Sequence, residues 1–161
     1  MVYRELLAWR ADTWTRVRPG SIYHALAQLT KEGLLRITGT TASKVAPAKT
    51  TYAITPAGRA ELLRLIEQAL VAYDQEQFAA GLAFMHLLSR ARVLELAKQR
   101  LMNYESTVDF MGTLPQEDNP RTPATHPEIL DSWTTLYAAT ADWLKTFIAH
   151  LEEGRYVFAG E

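Results

Sequence analysis

Apolar positions along the chain switch period twice. From Gly20 to about Glu32 they follow a helix: Ile22, Ala25, Leu26 and Leu29 fall at i, i+3, i+4 and i+7 and make one stripe. His24, Ala27, Gln28 and Lys31 lie on the opposite side, with Ser21 and Tyr23 on the flanks. Gly33 suits the position just past the helix end, where a left-handed residue closes the last turn. Upstream, "VYRELLAW" predicts a first helix carrying Leu6, Leu7 and Trp9, and "ADTWTRVRPG" ends it, because Pro19 disfavours helical geometry at Arg18.

The period then shortens to two. "LLRIT" (34–38) and "TTYAIT" (50–55) are rich in β-branched and aromatic residues, and the Gly- and Pro-containing "GTTASKVAPAK" joins them. A β-hairpin with a long, basic, flexible tip is expected. Thr55 is placed to cap a following helix, with Pro56 at its favoured first position.

Beyond Pro56 the pattern is helical throughout. Leu62, Ile66, Ala69, Leu70 and Tyr73 form one stripe, and a short apolar helix follows at about 77–88. Ser89 can cap a longer helix at about 90–112 that turns Val93, Leu94, Leu101, Tyr104 and Val108 inward. "TLPQEDNPRTPATHPE", with its four prolines, predicts a loop. A last helix is expected at about 127–152, through Leu130, Trp133, Leu136, Tyr137, Leu144, Phe147, Ile148 and Leu151. The predicted fold class is mainly α with a small β-hairpin wing. An N-terminal winged helix-turn-helix over residues 1–56 would precede a C-terminal helical dimerisation domain over 57–161.

Charge sharpens this division. The net charge of −1 conceals eight Lys/Arg against three acidic residues in 1–56, and nine against fifteen in 57–161. A basic first part and an acidic second part suggest that the first meets a polyanion. The absence of cysteine excludes disulfides and thiolate metal sites and fits a reducing, cytoplasmic setting. No apolar run is long enough to span a membrane, and the first residues do not form a signal peptide.

The helix at 20–32 therefore becomes a candidate reader of double-stranded DNA. Short polar side chains at Ser21, His24 and Gln28 can reach base edges, and Arg18 and Lys31 can meet phosphates. Lys44 and Lys49 on the hairpin would lie along the backbone or dip into the minor groove. A solvated helix face of no function carries the same residue types, so the wing and the basic balance are what favour DNA.

"RPGSIYHALAQLTKEGLL" followed by "KTTYAITPAGRAEL" resembles the PadR family of bacterial transcriptional regulators. Pro19, Gly20, Ser21, Ile22, Tyr23, Leu26, Leu29, Gly33 and Leu34 fit its recognition segment, and Tyr52, Ile54, Thr55 and Gly58 fit the Y-x-[IL]-T-x-x-G that follows its wing. The resemblance covers roughly residues 1–70. It implies DNA contacts by Gly20, Ser21 and Tyr23 at the helix start, groove or phosphate contacts by Arg18, His24, Gln28 and Lys31, and wing contacts by Lys44, Lys49 and Thr50. Tyr52 and Ile54 are read as hairpin core and Thr55 as a cap. Family members open with an apolar helix and His-Gly-Tyr ahead of the equivalent of "RELLAWR", and this sequence lacks that first helix.

The resemblance also implies a homodimer on a pseudo-palindromic operator. Physically, two recognition helices about 34 Å apart read twice the sequence of one. Leu62, Ile66 and Tyr73, with part of the last helix, are expected between copies. A small aromatic effector is a further implied partner, and Trp133, Tyr137, Trp143 and Phe147 are its candidate ligands, since such rings bury large areas and stack on flat molecules. Core or dimer packing explains the same aromatics. No enzyme, metal or cofactor is expected: the four histidines are scattered, "PGSIY" is no nucleophile elbow, and no phosphate-binding glycine motif occurs. His86 is expected to be a partly buried structural residue. The reading is a ligand-responsive repressor. The alternative is a protein-interaction module on a degenerate winged helix that no longer binds DNA.

Overall fold

The computed structural model describes residue 8 and residues 19–41, 49–115 and 127–161. Apart from Ala8, the first helix expected around 2–9 lies outside the described residues, as do Arg18, Lys44, the hairpin tip and most of the proline-rich loop. The chain divides into two compact units, residues 1–65 and 66–161, with the division inside one helix.

In the first unit, α1 (Pro19–Lys31) is followed by β1 (Leu35–Thr41), β2 (Lys49–Ile54) and the start of α2 (Pro56–Val71). Helix α1 ends as its sequence requires. Gly33 takes a positive φ of 73°, its N–H donates to the Thr30 carbonyl at 3.1 Å, and the Leu34 N–H reaches the Leu29 carbonyl at 2.9 Å. Those two bonds close a Schellman turn and satisfy carbonyls the helix leaves free. The strands pair antiparallel, with Leu35 opposite Ile54 and Thr41 opposite Lys49, and the register shifts between Ile37 and Gly39. The hairpin presents a more exposed surface than expected: Ile37 and Ile54 are 54% and 40% exposed, and Tyr52 is only half-buried.

Thr55 fastens the corner where these elements meet. Its N–H donates to the Leu34 carbonyl at 3.0 Å and its hydroxyl donates to the Gly33 carbonyl at 2.7 Å. The same hydroxyl oxygen accepts the Gly58 N–H at 3.0 Å, which caps α2. Gly58 lies directly on this corner, where a Cβ would fall 2.0 Å from the Leu34 carbonyl oxygen.

The second unit holds the end of α2, α3 (Gln75–Phe84), a single 3-10 turn (Met85–Leu87), α4 (Arg90–Gly112) and α5 (Pro127–Glu152). Asp74 caps α3 by accepting from the Gln77 N–H at 2.8 Å, and Ser89 caps α4 by accepting from Arg92 at 3.3 Å. Helices α4 and α5 run antiparallel, since Lys98 pairs with Glu152 and Lys145 with Glu105. Val93, Leu96, Ala97, Tyr104 and Met111 of α4 and Leu130, Ala141, Leu144, Phe147, Ile148 and Leu151 of α5 are buried.

Three expectations change. Leu94, Leu101 and Val108 are only half-buried, and the stripe that turns inward runs through Arg100 instead. On α5, Trp133 and Leu136 point outward, 52% and 55% exposed. The side chain of His86 is exposed, and only its carbonyl is engaged, by the Ala159 N–H at 2.9 Å. Among the residues expected between copies, Ile66 is already buried within the protomer, whereas Tyr73 is half exposed.

Candidate nucleic-acid interface

The outer face of α1 is solvent-facing along its length. Gly20, Ser21, His24, Gln28 and Lys31 are exposed, and Tyr23 is 72% exposed. Ile22 on the opposite side is buried, and Leu26 and Leu29 are half-buried. Ala25 of the same predicted stripe is exposed, so the packed side is the narrower one through Ile22, Leu26 and Leu29, and the rest of the helix is displayed. The displayed side holds donors and acceptors within one or two turns of each other.

Gln28 is not free to swing. Its Nε2 donates to the Glu32 Oε1 at 2.6 Å, one turn later, so the amide is held along the helix. This partner was not anticipated from sequence, although a Gln and a Glu four apart on a helix are the signal for it. Lys49, at the start of β2, is exposed, and Thr50 beside it is half-buried. Arg36 on β1 is an exposed cation in the same unit. Thr55 and Gly58 hold the C-terminal corner of α1 against the hairpin base, so the two basic elements share one rigid joint.

Residues 4–64 match the family model described as "Transcriptional regulator PadR-like family". Over these residues the chain is similar to that family. Two solved structures are similar to the chain. One is PadR of Bacillus subtilis in complex with operator DNA, 19% identical over 92% of this chain and 87% of that one, with a TM-score of 0.39. The other is smu.1604c of Streptococcus mutans UA159, 20% identical over 91% of this chain and 87% of that one, with a TM-score of 0.38. No curated protein matches. In the PadR-like segment the Thr55 and Gly58 of the shared motif acquire a physical meaning: one ties the corner and the other leaves room for it.

The aromatic candidates of the second unit do not form a single cluster. Trp143 stacks on Phe147 with centroids 5.2 Å apart and planes 10° apart, and Phe147 beneath it is buried. Tyr137 packs edge-on against Tyr104 at 5.1 Å and near Tyr73 at 6.1 Å. Trp133 stands outside both groups in solvent. Phe78 of α3 meets Trp143 edge-on at 5.8 Å. Between α3 and α5 runs an open groove of about 370 Å³, lined by Gln75, Phe78, Ala79, Leu82, Leu136, Ala139, Thr140 and Trp143.

Arg100 was not among the residues expected to matter from sequence. It has no exposed surface, its Nη2 donates to the Tyr104 hydroxyl at 3.1 Å, and its guanidinium lies 3.8 Å from the Phe78 centroid and 4.9 Å from that of Tyr104. Burial pulls its pKa below the usual guanidinium value. The available signal was periodic: Val93, Ala97, Arg100, Tyr104 and Met111 keep one helical face. Arg90 and Arg92, by contrast, are well partnered. Arg90 donates to both Glu161 carboxylate oxygens and to the Leu151 and Tyr156 carbonyls, and Arg92 forks onto Glu67 at 2.7 and 3.1 Å. Among the described residues no group of three His, Asp or Glu could hold a metal ion, and no helix is long and apolar enough to cross a membrane.

Proposed function

We propose that the chain is a transcriptional regulator that reads double-stranded DNA through α1 and the β1–β2 wing. The observation that carries this reading is the exposed polar face of α1, fixed to the hairpin by Thr55, within a segment that is PadR-like. Ser21, His24 and Gln28 would face base edges, and Lys31, Lys49 and Thr50, with Gly20 and Tyr23, would meet the backbone. Arg18 and Lys44 would join them from outside the described residues. The first unit is the DNA-binding domain on this reading, and the helical second unit dimerises and senses.

A homodimer is supported by Ile129, Trp133 and Leu136. These exposed apolar residues follow the four-then-three spacing of a helix seam. Two copies would present two α1 helices to a pseudo-palindromic operator and repress by occupying it. An apolar effector acting at the second unit is supported by the groove that Trp143 and Phe78 line.

The test is selection of a preferred site from a random DNA pool by the full chain, followed by titrations at several salt concentrations. Gln28→Ala should cost the selected site about 1–3 kcal/mol and leave random DNA nearly unaffected. Lys49→Ala should weaken both alike and make the salt slope shallower by about one. A pool that yields no enriched site, with binding indifferent to both substitutions, would move the protein-interaction module into first place.

A further inference from the structure

Arg100 presents a chemical imbalance. A guanidinium keeps its charge at any ordinary pH and carries five N–H donors. Here it is fully buried, and among the described residues its Nε and Nη1 have no hydrogen-bond partner. Among the described residues no carboxylate pairs with it; what surrounds it is aromatic. The faces of Phe78 and Tyr104 offset part of the cost of burying the cation, but ring faces do not replace strong acceptors for the N–H groups. Two N–H-bearing nitrogens of a buried cation are thus left to an acceptor that an anion would supply best.

Arg100 does not itself line the α3–α5 groove, but Phe78 connects the two. Phe78 lines the α3–α5 groove, and its ring also lies against the Arg100 guanidinium. One side chain thus separates an open apolar groove from an unpaired buried cation. Rotation of Phe78 would join the two, at the cost of its contacts with Arg100 and Trp143. The walls beyond it, Leu82, Leu136, Ala139 and Trp143, are apolar and favour a ligand with an apolar body over a small hydrated ion.

We propose that this groove binds an organic anion, its apolar body lying on Trp143 and Leu82 and its charged end pairing with Arg100. This deepens the effector part of the function proposed above and depends on that reading only for its regulatory consequence. Discrimination comes from charge. An uncharged molecule of the same shape would fill the groove but leave the guanidinium unpaired.

Isothermal titration of the full chain with octanoate, 1-octanol and octylammonium tests this. Octanoate should bind about tenfold or more tightly than octanol, and octylammonium least well. Arg100→Met should bind octanoate and octanol alike while melting at or above the parent temperature, since an apolar replacement of a buried ion is often neutral or stabilising. Arg100→Lys should keep part of the preference for octanoate. Equal binding of octanoate and octanol by the parent, or an undiminished preference in Arg100→Met, would overturn the proposal. So would chloride alone abolishing the preference, because the site would then be a small-ion site. Octanoate that binds through Arg100 without changing DNA affinity would refute the regulatory reading and leave the site standing.

Discussion

Replacing Gly58 with Ala isolates the joint that holds the reading helix to the wing. The new Cβ would fall 2.0 Å from the Leu34 carbonyl oxygen, 2.9 Å from its carbon and 3.0 Å from Ile54 Cγ1, where ordinary contact begins at 3.4 Å. Two of these three atoms are backbone, so no side chain can swing aside. The corner must open by about 1.4 Å. That movement stretches the Thr55 N–H bond to Leu34 from 3.0 Å past any useful length and pulls the Thr55 hydroxyl from the Gly33 carbonyl. Two bonds at about 1 kcal/mol each, with about 1–3 kcal/mol of overpacking, oppose the change. Alanine recovers about 1 kcal/mol through helix propensity and a less disordered unfolded chain. The net loss is about 2–4 kcal/mol. Because the chain has two units, the assay is hydrogen exchange resolved over residues 34–41 and 49–58, alongside urea unfolding. Protection there should fall while α4 and α5 keep theirs. Gly112→Ala is the control, since no atom lies within 4 Å of its Cβ position, and it should leave stability unchanged or raise it by up to about 1 kcal/mol. A Gly58→Ala protein as stable as that control would refute the reasoning.

Gly81→Ala should cost up to about 2 kcal/mol, because its Cβ would meet Leu70 N at 3.0 Å and Ala69 at 3.1 Å while alanine recovers about 1 kcal/mol in the helix; a gain in melting temperature would contradict this. The Arg92 fork holds the Glu67 carboxyl below its ordinary pKa. A depressed folded value means its stabilisation is complete above the unfolded pKa and lost as pH falls through the folded one. Glu67→Gln should therefore lower the melting temperature near neutral pH and make no difference at about pH 2, as thermal scans across that range would show. Trp133→Glu with Leu136→Glu should leave the helical circular dichroism intact and shift the sedimentation of the chain to that of a monomer; an unchanged sedimentation coefficient would place the contact elsewhere.

Local chemistry made most of the element order legible. Gly33, Thr55 with Pro56, and Ser89 mark helix ends through bonds that span five residues or fewer, and the structure places all three at such ends. The switch from helical to alternating period located the hairpin for the same reason. Tertiary structure decided what depends on partners far along the chain. Arg100 in "AKQRLMNY" looks like one more surface cation, and only the approach of Phe78 from α3 gives it a buried place. Trp133 and Leu136 carry as much apolar surface as Leu144 or Leu151, yet α5 has more apolar faces than α4 and its neighbours cover, so two stay buried and two stay exposed. A helix's sequence sets which residues share a face, while which face is covered depends on what other helices bring to it.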